Sequence, residues 1–232
     1  MSVVELSSLP IRLVMYPWQE IKKLLFFHST YAKYVRLSAE VDRLQKQWIE
    51  QKELSLENNR LQELLDFKQR MVYPSVGAHV VGRDPSSWSS SVIIDRGKKH
   101  GIRQGMPVVS GLGVIGKVVE VGAFMSRVIL LTDPNFSAGA VVQRTRENGL
   151  VTGTLQGLCR MKYISSDADI KAGDKIITSK LSYFFPEGFL IGVVKRVEES
   201  QSSPTLECLI APAVNLSELE EVLVLLTGPS SP

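Results

Sequence analysis

The stretch GDKIITSKLSYFFPEGFLIGVV, residues 173–194, holds a glycine corner, an alternating Ile/Thr strand, an aromatic loop ending in Pro-Glu-Gly, and a second β-branched run. An earlier stretch, GMPVVSGLGVIGKVV at residues 105–119, follows the same plan. Residues 105–110 align with 173–178, residues 115–121 with 191–197, and residues 127–131 with 207–211. The offset is 68 residues at Gly105/Gly173 and 76 at Gly116/Gly192, so the second hairpin carries eight extra residues. Two β units of one design, each with a glycine-cornered hairpin, are therefore expected; two unrelated hairpins are the alternative. Around them lie short β-branched runs at 79–81, 91–94, 107–109, 117–121 and 127–131, divided by Gly97, Gly101, Gly105, Gly113, Gly122 and Asp133-Pro134. Short strands at such spacing suggest a small barrel or sandwich.

Upstream the period changes. Leu37, Val41, Leu44 and Trp48 are spaced four, three and four, the a/d alternation of a coiled coil. Gln51 takes the next core slot and Leu54 restarts the pattern three residues later, a stammer, before Asn58, Leu61 and Leu65 resume it. Extended backwards, the register puts Tyr34 and Phe27 at a positions. Neither proline nor glycine occurs between Trp18 and Tyr73, so one helix of about 50 residues, roughly 75 Å at 1.5 Å per residue, is expected. Its stripe must pack on the following domain or pair with a second copy of the chain. Asn58 at an a position favours the homodimer, because a buried Asn pair fixes parallel register. Tyr73-Pro74 ends the helix, since the residue before proline is pushed out of the α region.

The 232 residues suffice for one large domain, or for two small ones and an extension, and 44% hydrophobic with 22% charged residues describe a folded protein. A net charge of +3 with no long basic block gives no case for nucleic acid. Cys159 and Cys208 fit no metal spacing; they are two buried thiols or one disulfide, and their apolar runs favour thiols. No window reaches the roughly 18 uninterrupted apolar residues of a membrane span, because Pro10, Arg12, Pro17, Glu20, Lys22 and Lys23 interrupt residues 6–27. The chain as written is expected to be soluble, without a signal peptide.

The search for chemistry is mostly negative. Gly111 to Gly116 satisfies G-x-G-x-x-G, and Asp133 lies where a ribose-binding acid would be sought. That motif needs a helix at its end, yet Lys117-Val118-Val119-Glu120-Val121 reads as a strand, so the glycines are expected in a hairpin turn. His28, His79 and His100 have no His or Cys partner at ligand spacing. A chymotrypsin-like two-barrel hydrolase is the alternative class, with His79 or His100, Asp95 or Asp133, and Ser182 as the groups that would have to converge. No glycine-flanked serine supports it. The basic turn at residues 96–103 has no interleaved aromatics and is expected to be solvated; contact with an anionic polymer is the alternative. No catalytic, cofactor or metal site is expected.

Several motifs together resemble the rod-shape-determining protein MreC family. They are Ile94-Asp95-Arg96-Gly97 with Gly101-Ile102 and residues 105–109, then residues 116–122 followed by 126–134. Gly173-Asp174, Thr178-Ser179, Phe185-Pro186-Glu187-Gly188 and Ile191-Gly192-Val193-Val194 carry the second half, behind a Leu-rich coil with Glu57-Asn58-Asn59-Arg60-Leu61 and Leu64-Leu65. The resemblance implies a non-catalytic scaffold of the bacterial elongation machinery, homodimeric through the coil, able to form filaments, and organising peptidoglycan synthases for cell shape. Implied partners are MreB, MreD and a class-B penicillin-binding transpeptidase with its glycosyltransferase, at the periplasmic side of the inner membrane. The family's cytoplasmic tail and membrane helix are not found in the sequence, so membrane attachment is expected only through an anchor outside it, with residues 6–27 juxtamembrane. Ser179-Lys180 departs from the family's usual Ser-Gly, which leaves the turn type there open. The expected organisation is mainly β with an N-terminal helix: residues 1–73 juxtamembrane segment and dimerising coil, 74–146 first β domain, 147–228 second β domain, and 229–232 a disordered tail, with interleaving of the β domains at their boundaries left open. Tyr183, Phe184 and Phe185, in the longer hairpin, are the candidate partner-binding loop, with core plugging as the other reading.

Overall fold

The change of period at Tyr73-Pro74 is where the helix gives way to sheet. In the computed structural model, which describes residues 12–83, 91–111, 113–154, 156–199 and 204–227, helix α1 spans Arg12–Arg70 and strand β1 spans Ser75–Arg83. The side chains of residues 12–33 are not described, so Phe27 and the juxtamembrane reading of residues 6–27 lie outside the described residues, as does the tail 229–232.

Eleven further strands follow: β2 Ser91–Ile94, β3 Pro107–Ser110, β4 Gly113–Val121, β5 Ser126–Leu130, β6 Ser137–Val142, β7 Asn148–Gly153, β8 Cys159–Ile164, β9 Lys175–Thr178, β10 Leu190–Glu199, β11 Leu206–Pro212 and β12 Glu221–Leu225. They form two closed antiparallel barrels, in the orders β1-β12-β3-β4-β5-β2 and β10-β11-β8-β7-β6-β9. Closure gives each of these strands a neighbour on both sides. The boundary expected between residues 146 and 147 is displaced: β6 belongs to the second barrel, while β12, past that barrel in sequence, pairs with β1 and β3 and closes the first.

The repeat holds at the level of hydrogen bonds. Gly105 N–H donates to Val118 C=O (2.8 Å) and Val118 N–H to Met106 C=O (2.9 Å); Gly173 to Val194 (2.8 Å) and Val194 to Asp174 (2.9 Å) repeat them. Both hairpins also bulge at matching places, between Val118 and Glu120 and between Val194 and Arg196. The third matched segment needs correction. Val128 and Ile210 are the true counterparts, facing Val118 and Val194, so the offset there is 82 and not the 80 expected. A two-residue slip preserves which side chains face inward, which is why the sequence pattern tolerated it.

Alternation along β4 and β5 joins the barrels. Ile115 and Leu130 enter the core of the first barrel, while their chain neighbours Val114 and Leu131 enter the core of the second. Successive side chains on a strand point to opposite faces, and here both faces are interior. Gly113 makes the close approach possible: a Cβ there would lie 2.2 Å from the Leu190 carbonyl oxygen. The thiols Cys159 and Cys208 are free and buried, and Cys159 Sγ–H donates to Leu131 C=O (3.2 Å). Burial pushes the Cys159 thiol up to about 12 and the Cys208 thiol up to about 11, so both stay protonated.

Removing residues 221–232 should leave Ser75–His79 of β1 and Val108–Val109 of β3 without a neighbour on one side. The expected result is loss of the cooperative thermal transition of the first barrel and aggregation; an unchanged melting curve would contradict closure by β12.

Candidate interaction surfaces

The helix stripe lies in the open. Leu37, Val41, Leu44, Trp48, Leu54, Leu61 and Leu65 are all exposed, as are Asn58 and Tyr34, with Trp48 63% accessible. Lys52 covers the Trp48 ring at 5.0 Å and Arg43 pairs with Glu40 one turn away, which decorates the stripe without burying it. At the end of α1 a second apolar row, Leu64, Phe67 and Met71, packs on Val109, Leu223 and Leu225, the outer face of β3 and β12. The last turns of the helix therefore dock on the first barrel through residues the heptad did not use. Leu61 and Leu65, on the heptad row, remain outside.

The aromatic loop at residues 181–189 divides three ways. Phe185 is 2% accessible and meets Phe136 edge-on at 5.7 Å in the second core, so it is withdrawn from the candidate partner surface. Phe184 is half-buried against the first barrel. Its ring lies over Lys117 Nζ at 4.8 Å, and a Cβ on Gly105 would come within 2.7 Å of its edge. Burial lowers the Lys117 pKa. Tyr183 remains 58% accessible, stacked edge-on upon Phe184 at 4.9 Å. Leu181, which the sequence reading passed over, is exposed beside it.

Thr178 holds the loop: its hydroxyl donates to Pro186 C=O (2.5 Å), and its Oγ1 accepts the Phe189 N–H (2.9 Å). Lys180 pairs with Glu187 across the turn (3.5 Å). Among the described residues the positive-φ positions other than glycine are Arg146 and Tyr163, so position 180 makes no demand for glycine and the departure at Ser179-Lys180 costs no strain. At the corner opening this hairpin, Arg144 grips Asp174 (2.8 Å) and Asp169 (2.8 Å). The guanidinium, aided by the Lys171 N–H, pulls the Asp174 carboxyl down to about 2.

The groups considered for hydrolysis serve local roles. The Asp95 carboxylate accepts the backbone N–H of His79 (2.8 Å) and pairs with Arg96; His100 Nδ1 accepts the Gly97 N–H (3.1 Å). Asp133 caps the Asn135 N–H (2.7 Å), and Ser182 Oγ accepts the Phe185 N–H (3.4 Å). The GLGVIG glycines lead into β4, a strand, as the hairpin reading required. Among the described residues no metal-binding cluster occurs, and no helix is long and apolar enough to cross a membrane.

Residues 80–226 match the family described as "Rod shape-determining protein MreC, barrel core". The cell shape-determining protein MreC of Listeria monocytogenes is 32% identical over 204 residues, covering 85% of this chain and 69% of that protein. That of Escherichia coli is 31% identical over 170 residues, covering 73% of this chain and 46% of that one. The chain thus spans between about half and two thirds of these relatives. A solved structure titled MreC superimposes with a TM-score of 0.69 at 31% identity, covering 74% of this chain and 98% of that one. The MreC of Helicobacter pylori, solved in a complex with Penicillin-Binding Protein (PBP2), shares the fold at 16% identity, with a TM-score of 0.56 over 67% of this chain and 99% of that one.

Two outcomes separate surface from core. Tyr183→Ser should change stability in urea by less than about 0.5 kcal/mol, whereas Phe185→Ala should cost about 3–5 kcal/mol. Equal losses would mean that Tyr183 is packed. For the corner, the depressed Asp174 pKa stabilises the fold at pH above the unfolded carboxyl value near 4, and that contribution disappears as pH falls through about 2. Arg144→Ala should raise the Asp174 midpoint toward the ordinary carboxylate range, read by carbon-detected NMR titration; an unmoved midpoint would exclude the guanidinium as its cause.

Proposed function

This chain belongs to the MreC family of rod shape-determining proteins, and from that premise we propose that it is a non-catalytic scaffold of the bacterial elongation machinery. In this reading it dimerises through α1 and presents its double barrel to peptidoglycan synthases in the periplasm, at the inner membrane. The observation that carries it is the exposed stripe Leu37, Val41, Leu44, Trp48, Leu54, Asn58, Leu61 and Leu65. A row of large apolar side chains at heptad spacing is stable in water when a partner helix covers it. A parallel second copy sets Asn58 against Asn58 and gives every other core position its counterpart.

The synthase partner in this proposal is a class-B penicillin-binding transpeptidase with its glycosyltransferase, in keeping with the complex formed by the Helicobacter pylori relative. MreD and MreB complete the assembly, and dimers can extend into filaments. Tyr183 and Leu181 form the contact, with Phe184 beneath them as support and not as an anchor. Rigid aromatic and aliphatic side chains on a loop pinned by Thr178 lose little entropy on binding.

One experiment with two arms tests this. Leu44→Asp with Leu61→Asp should halve the mass by light scattering and leave the melting of the barrels unchanged. Tyr183→Ser with Leu181→Ser should keep the dimer but weaken capture of the class-B transpeptidase by roughly tenfold or more. A monomeric parent chain would refute dimerisation; undiminished capture would refute the loop.

A further inference from the structure

The basic turn at residues 96–103 has no aromatic residue in its sequence, but the fold supplies one. The tip of the β4–β5 hairpin, residues 122–125, is hydrogen-bonded to this turn: Lys98 N–H donates to Gly122 C=O (2.9 Å) and Lys99 N–H to Ala123 C=O (3.2 Å). The hairpin is itself closed by Gly122 N–H to Met125 C=O (2.8 Å). At this joined tip Phe124 and Met125 stand 57% and 55% accessible, side by side. The Lys99 ammonium rests 4.2 Å from the Phe124 ring centre. Lys98, His100 and Arg103 are exposed around them, and among the described residues Lys98, Lys99 and Arg103 form no ion pair with a carboxylate. The two nearest acids along the chain are already taken, Asp95 by Arg96 and Glu120 by Arg127.

We propose that this tip is a docking surface for an anionic phospholipid bilayer, with Phe124 and Met125 entering the headgroup–acyl boundary and Lys98, Lys99 and Arg103 meeting lipid phosphates. Three features select a bilayer. The exposed Phe124 and Met125 stand at the tip of a two-stranded hairpin, an end that can enter a soft surface. Exposed apolar and cationic side chains share it, with the Lys99 ammonium over the Phe124 ring, the mixture found in interfacial membrane segments. Its cations have no carboxylate partner among the described residues, so their complement is an external negative surface. The Lys99 ammonium rests over the Phe124 ring, and its flexible stem can keep that charge at the phosphate level while the ring descends. The contact is separate from the coil of the proposed scaffold, and it does not depend on dimerisation.

The test uses the full chain with Phe124→Trp, mixed with vesicles of phosphatidylcholine alone or with phosphatidylglycerol. The expected result is a blue shift of emission beyond that of the parent chain, together with quenching by brominated acyl chains, only when phosphatidylglycerol is present. In flotation, Phe124→Ser with Met125→Ser, and separately Lys98→Glu with Lys99→Glu, should each lower binding by roughly tenfold, with binding weakened by salt and melting temperature unchanged. Four results would overturn the proposal. The first is unshifted, unquenched emission from the Phe124→Trp chain while that chain floats, which assigns binding to residues 6–27. The second is undiminished binding of the Phe124→Ser, Met125→Ser chain while the lysine changes abolish it, which leaves only headgroup attraction. The others are equal binding to both vesicles, and no binding to either, which leaves an acidic protein as the occupant.

Discussion

A six-stranded sheet closes only if every edge finds a partner, and the first barrel obtains its last partner from the far end of the chain. β12 lies between β1 and β3, after the whole second barrel has been built. The second barrel is thereby an insertion into the first, its entry and exit both fixed to one sheet. Both barrels share one circular order of strands: β3-β4-β5 matches β9-β10-β11, β2 and β1 match β8 and β7, and the slot held by β6 in one is held by β12 in the other. They differ by a circular permutation. The same closing strand, with β3, gives the end of α1 its seat, since Leu223 and Leu225 face outward to Phe67 and Met71.

The seam between barrels uses little more than alternation and two kinds of fit. Val114 and Ile115, like Leu130 and Leu131, send neighbouring side chains into different cores. Gly113 and Gly153 let backbones meet where a Cβ would sit 2.2 Å from Leu190 O and 2.1 Å from the Thr132 carbonyl carbon. Phe184 then closes the outer edge over Gly105 and Lys117. The residues that lengthen the second hairpin thus have a structural role, and of their large apolar side chains Leu181 and Tyr183 stay exposed.

Some signals in the chain are local and some are not. The glycine-cornered hairpins, the helix stop at Tyr73-Pro74, the turn at Asp133-Pro134 and the thiol character of Cys159 and Cys208 follow from local rules about φ, proline and burial. β6 and β7, SAGAVV and NGLVTG, have small residues and glycine where a strand pattern wants β-branched ones, because Gly139 and Gly149 lie against Ser182 and Met161. Neighbours from elsewhere in the chain set those positions, so no local window reveals them. The third repeat segment was misplaced by two residues because a period of two is blind to such a slip.

What the sequence determined by itself was a heptad stripe, two glycine-cornered hairpins related by a repeat, and the membership that those motifs carry. These are encoded in short-range spacing, where backbone sterics and side-chain period act. Tertiary structure alone decided which strand closes which barrel, that Phe185 faces a core while Tyr183 faces water, and that Phe124 joins a basic turn more than twenty residues away. Each of those outcomes depends on loop closure over long separations, where the free energy resides in contacts between segments that carry no mark of one another.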